Sequence, residues 1–121
     1  MKKLLFLIFL FSCTQQIIQQ KTADQREYDP LAVEYLNKGI DQVDNQKDYG
    51  GAMLSFTKAI EIDPSYAEAY FGRGLVKVML NQVETALIDL DRAGELGNIE
   101  AYNIATKIRR KQFWQQVIIN L

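Results

Sequence analysis

The stretch Ala59-Ile60-Glu61-Ile62-Asp63-Pro64-Ser65-Tyr66-Ala67-Glu68-Ala69-Tyr70 holds an ending, a turn and a beginning in twelve residues. Pro64 has no amide hydrogen to donate and crowds the turn before it, so the helix that carries Ala59 and Ile62 stops at Asp63. Ser65 to Glu68 has the spacing of a capping box, with the serine oxygen accepting from the backbone three residues on while Glu68 reaches back. A second helix is therefore expected to begin near residue 66.

Outward from this junction the pattern repeats. Ala52, Phe56, Ala59 and Ile62 recur as Ala86, Leu90, Ala93 and Leu96, each 34 residues on. Tyr35 and Gly39 recur as Tyr70 and Gly74 at an offset of 35, which places a one-residue insertion in the Asp44 to Tyr49 turn. Asp29-Pro30 reads as N-cap and first helical residue, and Leu96-Gly97-Asn98 as a glycine stop followed by a new cap. The chain is expected to form helices near 30–44, 50–62, 66–80 and 83–95, with a fifth beginning near Ile99. In the first helix of each unit, Ala32, Tyr35 and Gly39, and Ala67, Tyr70 and Gly74, share one face. In the second helices the alanines flank a large residue, Phe56 or Leu90, so a bulky side chain fills the space where helices cross closely. A hairpin of this size cannot cover its own apolar face, and stacking on a neighbour completes the core.

This order of residues resembles the tetratricopeptide repeat. The residues that carry the likeness are Tyr35, Gly39, Ala52, Phe56, Ala59 and Pro64 in the first unit. Tyr70, Gly74, Ala86, Leu90 and Ala93 carry it in the second, where Asn98 stands in the place of the closing proline. The quoted stretch is close to that family's junction between repeats. The resemblance implies an all-α fold of two hairpins stacked as a short solenoid with a C-terminal capping helix, on which Tyr102, Ala105 and Ile108 pack against the second hairpin. It also implies a protein-binding role. The first helices of such hairpins line a concave groove, here expected from Leu36, Ile40 and Val43 together with Phe71, Leu75, Val78 and Met79. All are apolar, without the Lys and Asn that clamp a terminal carboxylate. Two readings of the groove stay open: an open site for a partner, or a surface covered by the apolar end of the chain. In the second, Phe113, Trp114, Val117 and Ile118 form a lid or a self-association contact. Arg109-Arg110-Lys111 reads as a solvated helix end favoured by the C-terminal dipole, or as a contact for anionic headgroups or an acidic partner.

With 48% hydrophobic and 24% charged residues, the chain has the composition of an ordinary globular protein. Its formal charge is −1, and the loss of Lys2 and Lys3 with a cleaved leader makes it more negative, which speaks against a nucleic-acid partner. There is no histidine and a single cysteine, Cys13, so no metal site, cofactor or internal disulfide is expected. Asp89 with Asp91, and Asp41 with Asp44 and Asp48, lack a base, a metal ligand or a glycine-rich cradle. They read as solvated faces, and the chain is expected not to be an enzyme.

Met1-Lys2-Lys3 followed by the apolar run Leu4 to Phe11 has the form of a secretory signal; crossing a bilayer takes about 20 apolar residues. Leu10-Phe11-Ser12-Cys13 resembles the lipobox of bacterial lipoproteins. The resemblance implies diacylglyceryl transfer to the Cys13 thiol, cleavage before it and acylation, commonly palmitate, of the new amine. Two or three long chains anchor stably where one is marginal. The expected organisation is a signal peptide over 1–12, a lipidated flexible tether over 13–28 with a coil reach of about 20 Å, and the helical domain over 29–121. Thr14, where an inner-membrane retention signal carries aspartate, favours the outer membrane facing the periplasm. The function expected is a membrane-anchored interaction module that binds or positions a protein partner in the bacterial envelope. The alternative is a self-associating structural lipoprotein, a homo-oligomer built on the apolar tail.

Overall fold

The computed structural model describes residues 2–5, 7, 8 and 26–121. Residues 2–5, 7 and 8 are helical and exposed, whereas Cys13 and the expected tether as far as residue 25 lie outside the described residues.

From Pro30 onward five helices alternate with short turns: α1 Pro30–Asp44, α2 Tyr49–Ile62, α3 Ala67–Met79, α4 Val83–Glu95 and α5 Ile99–Ile119. Their ends follow from the residues there. Asp29 accepts from the Leu31 amide with Pro30 in the first turn, Asp48 accepts from the Gly51 amide, and Asn98 accepts from the Ala101 amide. At the end of α4, Gly97 takes a φ of 101°, the Asn98 amide bonds the Ala93 carbonyl and the Gly97 amide bonds the Gly94 carbonyl. This is the Schellman closure, which needs a left-handed residue that glycine supplies without a Cβ penalty. Asn81, at φ 60°, closes α3 in the same way.

The start of α3 differs from the expected capping box. Tyr66 stands at the cap without a side-chain bond, and the Ser65 hydroxyl and amide both donate to the Asp63 carboxylate, at 2.6 and 3.0 Å. A charged acceptor two residues back makes a stronger bond than the neutral N-cap bond it displaces, so the turn is closed by Asp63. The packed part of the chain also starts earlier than residue 29. Tyr28 stacks on Tyr66, with ring centroids 4.0 Å apart, and Arg26 donates to the Ser65 carbonyl.

The architecture is the all-α one expected: hairpins α1/α2 and α3/α4 stack as a short solenoid, and α5 packs on α4 as the C-terminal helix. One core cluster joins the hairpins through Ala32, Leu36, Ala52, Phe56, Ala69 and Val76; a second joins α4 to α5 through Leu87, Leu90, Ala93, Ala101 and Ala105. The small residues are where helices come closest. A Cβ placed on Gly39 of α1 would lie 2.6 Å from the Phe56 ring, and one on Gly72 of α3 would lie 2.8 Å from it. Phe56 is therefore seated between two glycines from two different hairpins. Leu90 repeats the arrangement against Gly74, where an added Cβ would lie 3.1 Å away.

Gly39→Ala and Gly72→Ala are each expected to lower stability by about 1–3 kcal/mol, because overpacking against a buried ring outweighs the better helix propensity of alanine. Gly50, where an added Cβ would meet only the Asp48 carboxylate at 3.8 Å, is the internal control, and Gly50→Ala is expected to raise stability by about 0.5–1 kcal/mol. Urea midpoints of the three variants test this, and a gain at Gly39 or Gly72 would mean that the ring moves aside freely.

Candidate protein-binding site

The two first helices, α1 and α3, lie side by side with an open apolar hollow of about 180 Å³ between them. Ile40, Val43 and Asp44 come from α1, Gly72, Leu75, Val76 and Met79 from α3, and Phe56 of α2 forms part of its lining. Ile40 is 44% exposed and Met79 55% exposed, so both keep apolar surface in contact with water at the hollow. Asp44 places one carboxylate at the rim.

Of the groove residues expected from sequence, Ile40, Val43, Leu75 and Met79 meet here. The other three do not. Leu36 is 8% exposed and belongs to the core beneath, and Phe71 and Val78 pack against the cluster that joins α4 to α5. The reason is the stacking itself. A first helix in the middle of a solenoid has a neighbour on each side, so its apolar face is divided. Phe71 and Val78 serve the cluster built on α4 and α5, and Gly72 and Val76 the contact toward the first hairpin. Gly72 is a hollow residue that sequence reasoning missed. Its signal was legible, since a second glycine so near Gly74 inside a helix costs about 1 kcal/mol unless close packing requires it.

The C-terminal segment does not cover the hollow, which corrects the lid reading of Phe113, Trp114, Val117 and Ile118. Ile99 to Ile119 contains no glycine or proline to break it and runs as one 21-residue helix along α4. Phe113, Trp114 and Ile118 stand exposed, and Val117 is half-buried. Tyr102 also departs from expectation. Its backbone and Cβ lie against Gly94 while the ring is exposed, whereas Ala105 is buried and Ile108 packs as expected.

The carboxylates divide differently from the solvated faces expected. Asp89 is buried, with its side chain 4% exposed, and lies between two cations of α3: Arg73 donates twice to it, at 2.9 and 2.7 Å, and Lys77 pairs with it at 2.7 Å. The hydrogen bonds from Arg73 to Asp89 raise the Arg73 pKa above its ordinary value, against the opposing effect of burial. Arg73 also donates to the Thr57 hydroxyl of α2 at 3.0 Å, so the network ties the two hairpins together. Asp91 pairs with Arg109 of α5, which takes that residue out of the basic triplet as a free cation. Asp41, by contrast, stays at the surface, where bonds from Asn45 and then Gln46 hold its pKa below the usual carboxylate value. Among the described residues no group of three His, Cys, Asp or Glu side chains is placed to hold a metal ion.

Stacked helical hairpins with an open apolar hollow on their first-helix side define a short helical solenoid. Comparison with known families bears on this directly: the family model described as TPR repeat matches residues 45–81, from the turn after α1 to the end of α3. No curated protein matches the chain. The match supports a tetratricopeptide-repeat protein, and it suggests a protein–protein interaction module, a fold that is typically non-catalytic.

Proposed function

We propose that this chain is a lipid-anchored tetratricopeptide module that binds or positions a partner protein at the surface of a bacterial envelope membrane. The supporting observation is the uncovered hollow. Ile40, Val43, Leu75 and Met79 present apolar surface between two rigid helices, with Phe56 in its lining and no segment of the described chain lying over it. A partner that inserts an apolar side chain there, from a helix or an extended segment, gains burial without ordering the receptor. The anchor rests on the sequence: the apolar leader and Leu10-Phe11-Ser12-Cys13 supply a site for thioether lipidation at Cys13. Thr14 favours the outer membrane and its periplasmic face. The residues between Cys13 and Arg26 then act as the leash.

A photo-reactive residue in place of Met79, in cells that produce the full chain, is expected to crosslink to a discrete second protein, and the crosslink is expected to disappear with Ile40→Asp. Radiolabelled fatty acid is expected to enter the chain and to be lost with Cys13→Ala. Crosslinks confined to copies of the chain itself would overturn the partner reading, and label that persists in Cys13→Ala would overturn the anchor.

A further inference from the structure

Helix α5 is longer than the element it packs on. Its 21 residues extend about 31 Å, against about 20 Å for the 13 residues of α4. The two run antiparallel: Tyr102 lies against Gly94, and Gln112 reaches Glu84 in the first turn of α4 with a 3.2 Å bond. Beyond Gln112, α4 has ended, and the last two turns of α5 overhang the bundle.

One stripe runs down the outer side of this helix. Lys107, Arg110 and Lys111 stand at i, i+3 and i+4, Trp114, Val117 and Ile118 continue the same spacing, and Leu121 follows exposed beyond the helix end at Ile119. The stripe changes character at Trp114, basic before it and apolar after it. The face that packs on the bundle, through Ala101, Ile104, Ala105 and Ile108, lies beside this stripe. No Asp or Glu follows Glu100, and among the described residues Lys107, Arg110 and Lys111 form no ion pair. Trp114 is 56% exposed and sits edge-on to Phe113 at 5.5 Å.

We infer that the overhanging end of α5 is a membrane-contact device that docks on an anionic lipid surface, with Lys107, Arg110 and Lys111 at the headgroups and Trp114, Ile118 and Leu121 in the interfacial layer. Three unpaired cations beside an indole and branched aliphatics match the two components of such a surface, its negative charge and its apolar boundary. Tryptophan is favoured at that depth because its ring is apolar and its N–H is polar. The contact is made from the side, since among the described residues no helix is long and apolar enough to cross a membrane. A second copy fits less well. The exposed apolar part of the stripe offers on the order of a few hundred Å², short of the roughly 800 Å² per partner that a stable interface uses. This contact is independent of the hollow and of the modification at Cys13.

Trp114 is the chain's single tryptophan, so its fluorescence reports the overhang alone, whatever the leader does. The full chain is mixed with phosphatidylcholine vesicles, with or without phosphatidylglycerol, and with bromine-labelled acyl chains as a quencher. With phosphatidylglycerol, Trp114 emission is expected to shift to the blue and to be quenched. Reversal of the three cations (Lys107→Glu, Arg110→Glu, Lys111→Glu) is expected to weaken the response by more than the roughly hundredfold that neutralisation alone gives, at about a fivefold loss for each cation neutralised. The gentler triple change to glutamine weakens it in the same direction, and unchanged circular dichroism shows that either variant is folded. An unshifted Trp114, an equal shift on neutral vesicles, or an unaltered response of the folded charge variants overturns the inference. So does a blue shift that grows with protein concentration in the absence of lipid, which would make a second copy the occupant.

Discussion

Asp89→Ala is expected to lower the stability of the chain by about 3–5 kcal/mol, a large share of the roughly 5–15 kcal/mol that a domain possesses. The substitution removes one small side chain but strands two cations. Arg73 and Lys77 lie 20% and 16% exposed, and Arg73 spends two donors and Lys77 one on the carboxylate between them. Without it their charges remain partly desolvated and now repel each other. Breaking such a group by removing one partner is costly for this reason, even where the intact group contributes little net stability. Two further variants separate charge from shape. Asp89→Asn keeps acceptor capacity and loses charge, so it is expected to fall between wild type and alanine. Replacing all three residues together, Arg73→Met, Lys77→Met and Asp89→Leu, is expected to recover most of the loss. Urea denaturation followed by circular dichroism measures the series. A cost below about 1 kcal/mol for Asp89→Ala, in the range of exposed pairs, would mean that water replaces the carboxylate without penalty.

The second large effect is expected at Phe56. Phe56→Ala should cost about 3–5 kcal/mol, at the upper end of that range, because cavity creation is most expensive where the surroundings cannot collapse. The walls here are Gly39 and Gly72, which have no side chains to move inward, on helices fixed by their own packing. Phe56→Leu, which imports the residue that the second unit carries at 90, is expected to cost less. Because Phe56 also lines the hollow, the alanine variant should lose the Met79 crosslink to the partner even under conditions in which it remains folded. An equilibrium loss smaller than about 2 kcal/mol would show that the two hairpins close over the gap.

Much of the backbone plan was legible in the sequence because it depends on local chemistry. Pro64, Gly97, Asp29 and Asn98 act within a few residues of themselves, and the helices end where these residues stand. The spacing of Ala52, Phe56 and Ala59, and of Ala86, Leu90 and Ala93, is also local, so the packing faces could be read from periodicity. What escaped was set by the facing helix. Asp89 and Asp91 are alike in sequence, and only the presence of Arg73 and Lys77 across the hairpin buries one of them, while Arg109 claims the other from α5. A useful signal was available in Arg73 and Lys77, one turn apart on a first helix whose only other charged residue is Glu68. Similarly, Leu36, Phe71 and Val78 have the residue type of a groove but are used between helices. The side of α3 that stays open is fixed by neighbours on both flanks. The Ser65 capping box failed because Asp63, two residues away, competes for the same serine.

The turn at Gly97 and Asn98 has a wider meaning. It completes one helix and caps the next with groups that belong to the turn itself, so neither neighbour depends on the other for its end. A chain built this way has a seam at which another unit of the same length can be spliced in, its new flanks meeting surfaces already shaped for them. Growth or loss of a whole module by duplication or deletion of coding segments is then a small physical change, although it alters the reach of the molecule by a full layer.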